Sequence, residues 1–306
     1  MYEERRKKKF LRILTLIGLV VVLVYGIKQW ASKTIKEKIP FDQASQQLDD
    51  YVIQYPQIEW GTSNLRIYRK GIISDKLIYS ADSVAGIDDV KAIDLDSDGN
   101  KELFITIFTG GAHCCFIYVA ARLENDTFIP LDTIIGGHAE FDITDIDKDS
   151  IKEIKGLNTA YAYAFVSFVE SHYPVRIFQF KKNKFVDVTH LFPQEVRKDM
   201  AETKKLLEDF ISEVLAGKEY ACPTDEDDEN WINHDSTLYY SDKIKSYLAP
   251  ILEDYYLLNQ WDSGVAYVKS VYKCDDVDAF IKKVKRKFIN NRSKGMVGLP
   301  DLSWFE

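Results

Sequence analysis

The sequence predicts an α+β protein with an N-terminal transmembrane helix. An antiparallel β meander, sandwich or partial propeller with Asp-rich loops follows, and then a small helical domain. Three observations predict this. Apolar residues alternate with period two from about residue 61 to 191, and a helical period takes over from 192. A basic cluster also precedes an uncharged apolar run near the N-terminus. The boundaries are 1–32 for a cytoplasmic basic tail and membrane anchor, 33–60 for a juxtamembrane segment, 61–191 for the β domain and 192–306 for the helical C-terminal domain.

The anchor comes first. Arg5, Arg6, Lys7, Lys8, Lys9 and Arg12 lead into Ile13 to Ile27, which carries no charge. Counted from Phe10, the segment spans about 27 Å as a helix, close to the ~30 Å hydrocarbon core of a bilayer. Arg12 and Lys28 can snorkel to the two interfaces. Basic residues on the N-terminal side predict a cytoplasmic N-terminus and an extracytoplasmic body in a single-pass cell-membrane protein. The alternative is a cleaved signal peptide. Its small cleavage residues would have to be Val24 and Gly26, inside the apolar run. No cysteine follows closely, which argues against a lipoprotein.

Residues 33–60 predict one short helix after Pro40, with Ala44, Leu48, Tyr51 and Val52 at helical spacing and Pro56 as its stop. The β domain predicts strands at 64–69, 76–80, 89–94, 103–109, 114–123, 128–134, 139–144, 163–169, 175–181 and 184–189, with Lys181-Lys182-Asn183-Lys184 at a hairpin tip. From 192 the pattern predicts three helices. The first runs from Pro193 to about 215, with Val196, Met200, Thr203, Leu207, Phe210, Ile211 and Val214 on one face and Gly217 as its stop. The second covers about 242–258 and contains Pro250, and the third covers about 275–289 with Val277, Phe280, Ile281, Val284 and Phe288 inward. The tail, 290–306, has no periodicity. The acidic run Asp225 to Glu229 reads as a solvated loop.

Composition narrows the function. Hydrophobic residues are 46% and charged residues 29%, a globular balance. Six of the 40 basic and two of the 48 acidic side chains lie in residues 1–12, so the rest carries −12 against −8 for the whole chain. A body that acidic predicts no nucleic-acid partner, because phosphate binding needs a positive field. Extracytoplasmic placement also permits disulfides among Cys114, Cys115, Cys222 and Cys274. Of three possible pairings, Cys222–Cys274 is the most economical. It closes a loop of roughly 50 residues and contributes ~4 kcal/mol by the chain-entropy argument. Cys114 and Cys115 read as small apolar strand residues facing opposite ways.

The strongest chemistry lies in two matching segments. Asp94, Asp96, Asp98 and Glu102 repeat as Asp145, Asp147, Asp149 and Glu153. Both read D-x-D-x-D-x-x-x-E, both follow a strand, and they start 51 residues apart, the period of a tandem repeat. Carboxylates at positions 1, 3 and 5 of a tight loop converge on one point. A backbone carbonyl at position 7, Asn100 or Ile151, and the carboxylate at 9 complete the shell. An all-oxygen shell selects a hard cation, and Ca²⁺ suits a flexible loop. Position 12 is Ile105 or Gly156, so neither loop is an EF-hand. Gly99 stands at the sharp turn of the first loop and Ser150 at that of the second.

These loops resemble the calcium-binding blades of FG-GAP or VCBS-type repeats, as in integrin α-subunit propellers. Thr109-Gly110-Gly111-Ala112-His113-Cys114-Cys115 resembles the GGAHCC segment of exported bacterial proteins of unassigned activity, and 160–165, 175–178 and 185–189 are similar to their remainder. The resemblance covers about 88–200. It implies a calcium-binding β fold and no reaction. Two loops in about 130 residues are too few blades to close a ring.

The reading is a membrane-anchored extracytoplasmic calcium-binding protein, a binding or scaffolding module whose partner is an extracytoplasmic protein or a glycan. The alternative is an exported hydrolase or a thiol or transition-metal enzyme centred on His113 and Cys114, in which Cys115 could take the place of Cys114 and His138 could add a ligand. No G-x-S-x-G, H-E-x-x-H or paired-cysteine zinc spacing supports it. His172, His190 and His234 read as surface residues. Tyr161, Tyr163, Phe165, Phe168 and Tyr173 offer either packing or a carbohydrate or peptide surface.

Overall fold

The computed structural model describes residues 45–59, 61–110, 115–223 and 238–290. The expected anchor, His113, Cys114, the 225–229 run, His234 and 291–306 lie outside the described residues. Among the described residues, no helix is long and apolar enough to cross a membrane.

The fold is α+β, with three antiparallel sheets followed by helices. The first sheet contains β1 (Ser45–Leu48), β2 (Tyr51–Gln54), β3 (Gln57–Glu59), β4 (Thr62–Arg69) and β5 (Lys76–Ala85). β2 and β3 lie end to end along β4, and β5 also pairs with β4. The short helix expected after Pro40 is therefore a correction over 45–59, where the chain forms strands. Leu48 and Tyr51 close a hairpin across Asp49-Asp50, with Asp49 at φ 47°. Pairing with β4 wins over the helical spacing and places Ile53 in the core.

The second sheet is the meander β6 (Ile87–Ile93), β7 (Glu102–Phe108), β8 (Phe116–Glu124) and β9 (Thr127–Gly137). The third is the meander β10 (Asp142–Thr144), β11 (Glu153–Leu157), β12 (Val175–Lys181) and β13 (Lys184–Asp187). β11 was not among the expected strands.

The sheets stack through the alternation of β7 and β8. Leu103, Ile105, Ile107, Ile117 and Val119 pack with Ile53, Leu65 and Ile67 of the first sheet. Their neighbours Phe104, Tyr118 and Ala120 pack with Ile154, Phe178 and Phe180 of the third. The outer face of the third sheet presents Val175 and Ile177 to Phe192, Val196 and Leu257 of the helical part.

The helices are α1 (Pro193–Asp209), α2 (Tyr239–Leu257), α3 (Trp261–Val271) and α4 (Val277–Val284). α1 continues into a π turn, Phe210–Leu215. That wider turn buries Leu215 and leaves Ile211 and Val214 outside, which corrects the expected face. α3 was not foreseen. Gly264 sits inside it, where a Cβ would come within 2.7 Å of Tyr255 Cβ, so glycine lets α2 and α3 approach closely. Cys222 and Cys274 are bonded, with Cα atoms 5.4 Å apart. Cys115 is also disulfide-bonded, which corrects its reading as a plain strand residue.

The strand expected at 163–169 is a further correction. The segment forms 3₁₀ turns at Thr159–Tyr161 and Phe168–Glu170. Tyr161, Phe165 and Val166 plug into the helical core, and Tyr163 at φ 57° breaks any extended run. Tertiary burial decides this segment over its alternation.

Candidate metal centre

The two aspartate loops occupy the same place in consecutive sheets. Residues 94–101 join β6 to β7, and residues 145–152 join β10 to β11. Each is thus the first turn of a four-stranded meander.

Their backbones match position by position. Ser97 and Lys148, at position 4, have φ of 59° and 65°. Gly99 and Ser150, at position 6, have φ of 92° and 78°. A Cβ on Gly99 would meet nothing within 4 Å, so conformation alone favours glycine there. Asp94 accepts from the N–H groups of Asp98 (3.1 Å) and Gly99 (3.0 Å). Asp145 accepts from the N–H of Ser150 at 3.2 Å. Asp98 accepts from the Asn100 N–H at 2.7 Å, and Asp149 from the Ile151 N–H at 2.8 Å. These bonds fold each loop inward around its own carboxylates.

The closing glutamates are built alike. Glu102 and Glu153 begin β7 and β11, and both are 0% exposed. The N–H at loop position 2 donates to each: Leu95 to Glu102 at 3.1 Å, and Ile146 to Glu153 at 2.8 Å. The next strand supplies a second donor. Arg122 of β8 reaches Glu102 at 2.7 Å, and Gln179 of β12 reaches Glu153 at 2.6 Å. Burial pushes the Glu102 carboxyl up, opposed by Arg122 and the Leu95 N–H. Asp98, at the surface, is held below its ordinary range by the N–H and side chain of Asn100.

Oxygens of Asp94, Asp96 and Glu102 lie within 4.8 Å of one another, as do those of Asp145, Asp147 and Glu153. One carboxylate oxygen of Asp96 and one of Asp145 are buried and have no hydrogen-bond partner. Asp98 and Asp149 are exposed and stand outside the two convergent groups; Asn100 and Ile151 serve as N–H donors to them. A nearby cation offsets part of the charge in each loop: Arg122 in the first, and Lys152, 3.6 Å from Asp145, in the second.

The loops also touch. Ser97 Oγ donates to the Ser150 carbonyl at 2.5 Å, and the Lys152 N–H faces the Leu95 carbonyl at 3.4 Å. Sequence reasoning missed this contact, and it missed Arg122 and Gln179. Those two stand 20 and 26 residues after their glutamates, so the repeat carried no common spacing to reveal them.

A second polar cluster, also unforeseen, joins the third sheet to α2. Glu253 accepts from Tyr161 Oη at 2.6 Å and Asn158 Nδ2 at 3.2 Å. Arg176, fully buried, pairs with Asp187 at 2.9 Å and lies 4.0 Å from Glu253. The burial of Glu253, Asn158, Tyr161 and Arg176 fits the cluster to an interface rather than to a ligand.

The histidines divide. His138 lies beside Phe168 and Tyr163, with ring centroids 4.7 and 6.5 Å away. His172, expected at the surface, instead stacks on Tyr247 at 4.0 Å, and Lys243 Nζ stands 3.5 Å from its Nε2. Burial, reinforced by Lys243, pushes His172 down to about 4. His190 is exposed. The bonded state of Cys115 withdraws it as a nucleophile or soft ligand.

The chain matches no family model, no curated protein and no solved structure.

Proposed function

We propose that the chain is a membrane-anchored extracytoplasmic protein that binds two Ca²⁺ ions and serves as a non-catalytic binding or scaffolding module. The observation that carries the metal reading is the orphaned oxygens. Asp96 and Asp145 each bury a carboxylate oxygen against other carboxylates with no donor in reach. A buried carboxylate oxygen without a partner is costly, and a cation at that point relieves it. Neither group contains His or Cys, so the donors are hard oxygens, which favour Ca²⁺ over zinc or copper.

Asp94, Asp96 and Glu102 would hold the first ion, and Asp145, Asp147 and Glu153 the second. Asp98 and Asp149, with the carbonyls of Asn100 and Ile151, would complete the shells. The role is structural: the ions tie each loop to the start of the next strand. Three stacked antiparallel sheets, two of them four-stranded meanders opening on such a loop, support the likeness to FG-GAP or VCBS-type blades arranged as a partial propeller. The basic-then-apolar N-terminus supports the membrane placement. The acidic body favours an extracytoplasmic protein or glycan partner over nucleic acid.

Terbium luminescence tests the metal sites directly, because Tb³⁺ takes Ca²⁺ ligands. Two saturable sites displaced by Ca²⁺ are expected, one lost in Asp96→Ala and the other in Asp147→Ala. Signal unchanged in both variants overturns the reading.

A further inference from the structure

The turn between β4 and β5 places Ile72 and Ile73, 81% and 75% exposed, side by side in water. Single exposed apolar residues are ordinary; two adjacent aliphatic ones on a braced tip are not. The tip is built to stay in place. A Cβ on Gly71 would meet the Ser74 carbonyl oxygen at 2.1 Å, so glycine is required for the turn. The Gly71 N–H donates to Asp75 at 3.2 Å. At its base, the Lys70 N–H donates to the Asp50 carbonyl at 2.7 Å, and Arg69 and Lys76 both hold Asp126 of the β8–β9 turn, at 2.9 and 3.2 Å.

We propose that this tip seats in the outer leaflet of the bilayer that anchors the chain. The proposal rests on the membrane-anchored reading above. Only 17 residues, 28–44, separate the apolar run from β1, so the body cannot stand more than about 60 Å from the membrane. β1 leads within one hairpin turn to Asp50, which bonds the base of the tip. A tether that short raises the effective concentration of lipid at the tip, and a weak apolar contact then suffices. Lys70 precedes the isoleucines, where its stem can lie along the leaflet and its ammonium group reach the headgroups, while Lys76 stays on Asp126 at the base.

The test places a polarity-sensitive fluorophore on Ile73→Cys in the full chain, since no described cysteine is free. Val169→Cys, 87% exposed in another loop, is the reference. The proteins are reconstituted in phosphatidylcholine vesicles with brominated acyl chains, and flotation reports anchoring separately. The expected result is co-flotation of both proteins, with a blue shift and quenching at 73 and neither at 169. Ile72→Ser should weaken the quenching at 73. Co-flotation with the label at 73 as water-exposed as that at 169 overturns the tip proposal and leaves the anchor standing. Failure to float overturns both.

Discussion

Ser97 Oγ donates to the carbonyl of Ser150 across the two aspartate loops, at 2.5 Å. The loops are therefore one structural unit, although they open different sheets. Ser97→Ala removes this bond while leaving the carboxylates in place. It should cost about 0.5–1.5 kcal/mol in denaturant unfolding, with Tb³⁺ still bound at both sites.

Ser150 holds φ 78° where the first loop has Gly99. A side chain in the left-handed region is strained. Ser150→Gly keeps the carbonyl that Ser97 bonds and releases that strain. The variant should gain about 0.5–1 kcal/mol, the offset being the greater freedom of glycine in the unfolded chain. Gly99→Ser should lose a comparable amount. Equilibrium urea unfolding of the two variants checks both signs.

Arg176 is the buried cation between Asp187 and Glu253. Arg176→Met leaves both carboxylates without it. The expected loss is about 3–5 kcal/mol, measured by the same unfolding experiment. Adding Glu253→Gln should restore part of it, because one of the uncompensated charges is then gone.

Two groups make stability depend on pH in opposite directions. His172 is lowered from 6.5 to about 4 by burial and Lys243, so the unfolded chain takes up its proton first and stability falls as pH drops through that window. Asp199 is raised from 3.8 to about 6, chiefly by burial, so the folded chain binds its proton first and stability falls as pH rises through that window. Between pH 4 and 6 the two slopes offset each other. Asp199→Asn keeps an oxygen for the Val175 N–H, which now donates to Asp199 at 3.0 Å, and removes one slope. Its stability should rise steadily with pH over that range and exceed that of the parent at pH 7 by about 2 kcal/mol, allowing for partial solvent screening. Thermal melts across pH 4 to 7 read this out.

Much of the framework was legible because it depends on local pattern. The period-two stretches of β4 to β9, β12 and β13 and the amphipathic faces of α1 and α4 could be read from spacing alone. So could the two aspartate loops, whose carboxylates sit at fixed intervals. What escaped depends on distant partners. β2 and β3 are strands because β4 pairs with them, β1 because it pairs with β2, and 163–169 is irregular because Phe165 and Val166 are claimed by the helical core. Arg122, Gln179 and the contact from Ser97 to Ser150 follow from strand register and sheet stacking, which no local spacing encodes.

Thermal unfolding of the chelated protein, with and without added Ca²⁺, tests the central claim most directly. At an affinity near 10⁻⁴ M, typical of extracellular modules, 1 mM Ca²⁺ should add about 1.4 kcal/mol per site. The account predicts an upward shift in Tm that Asp96→Ala and Asp147→Ala each reduce. No shift with Ca²⁺, or one that survives both substitutions, contradicts it.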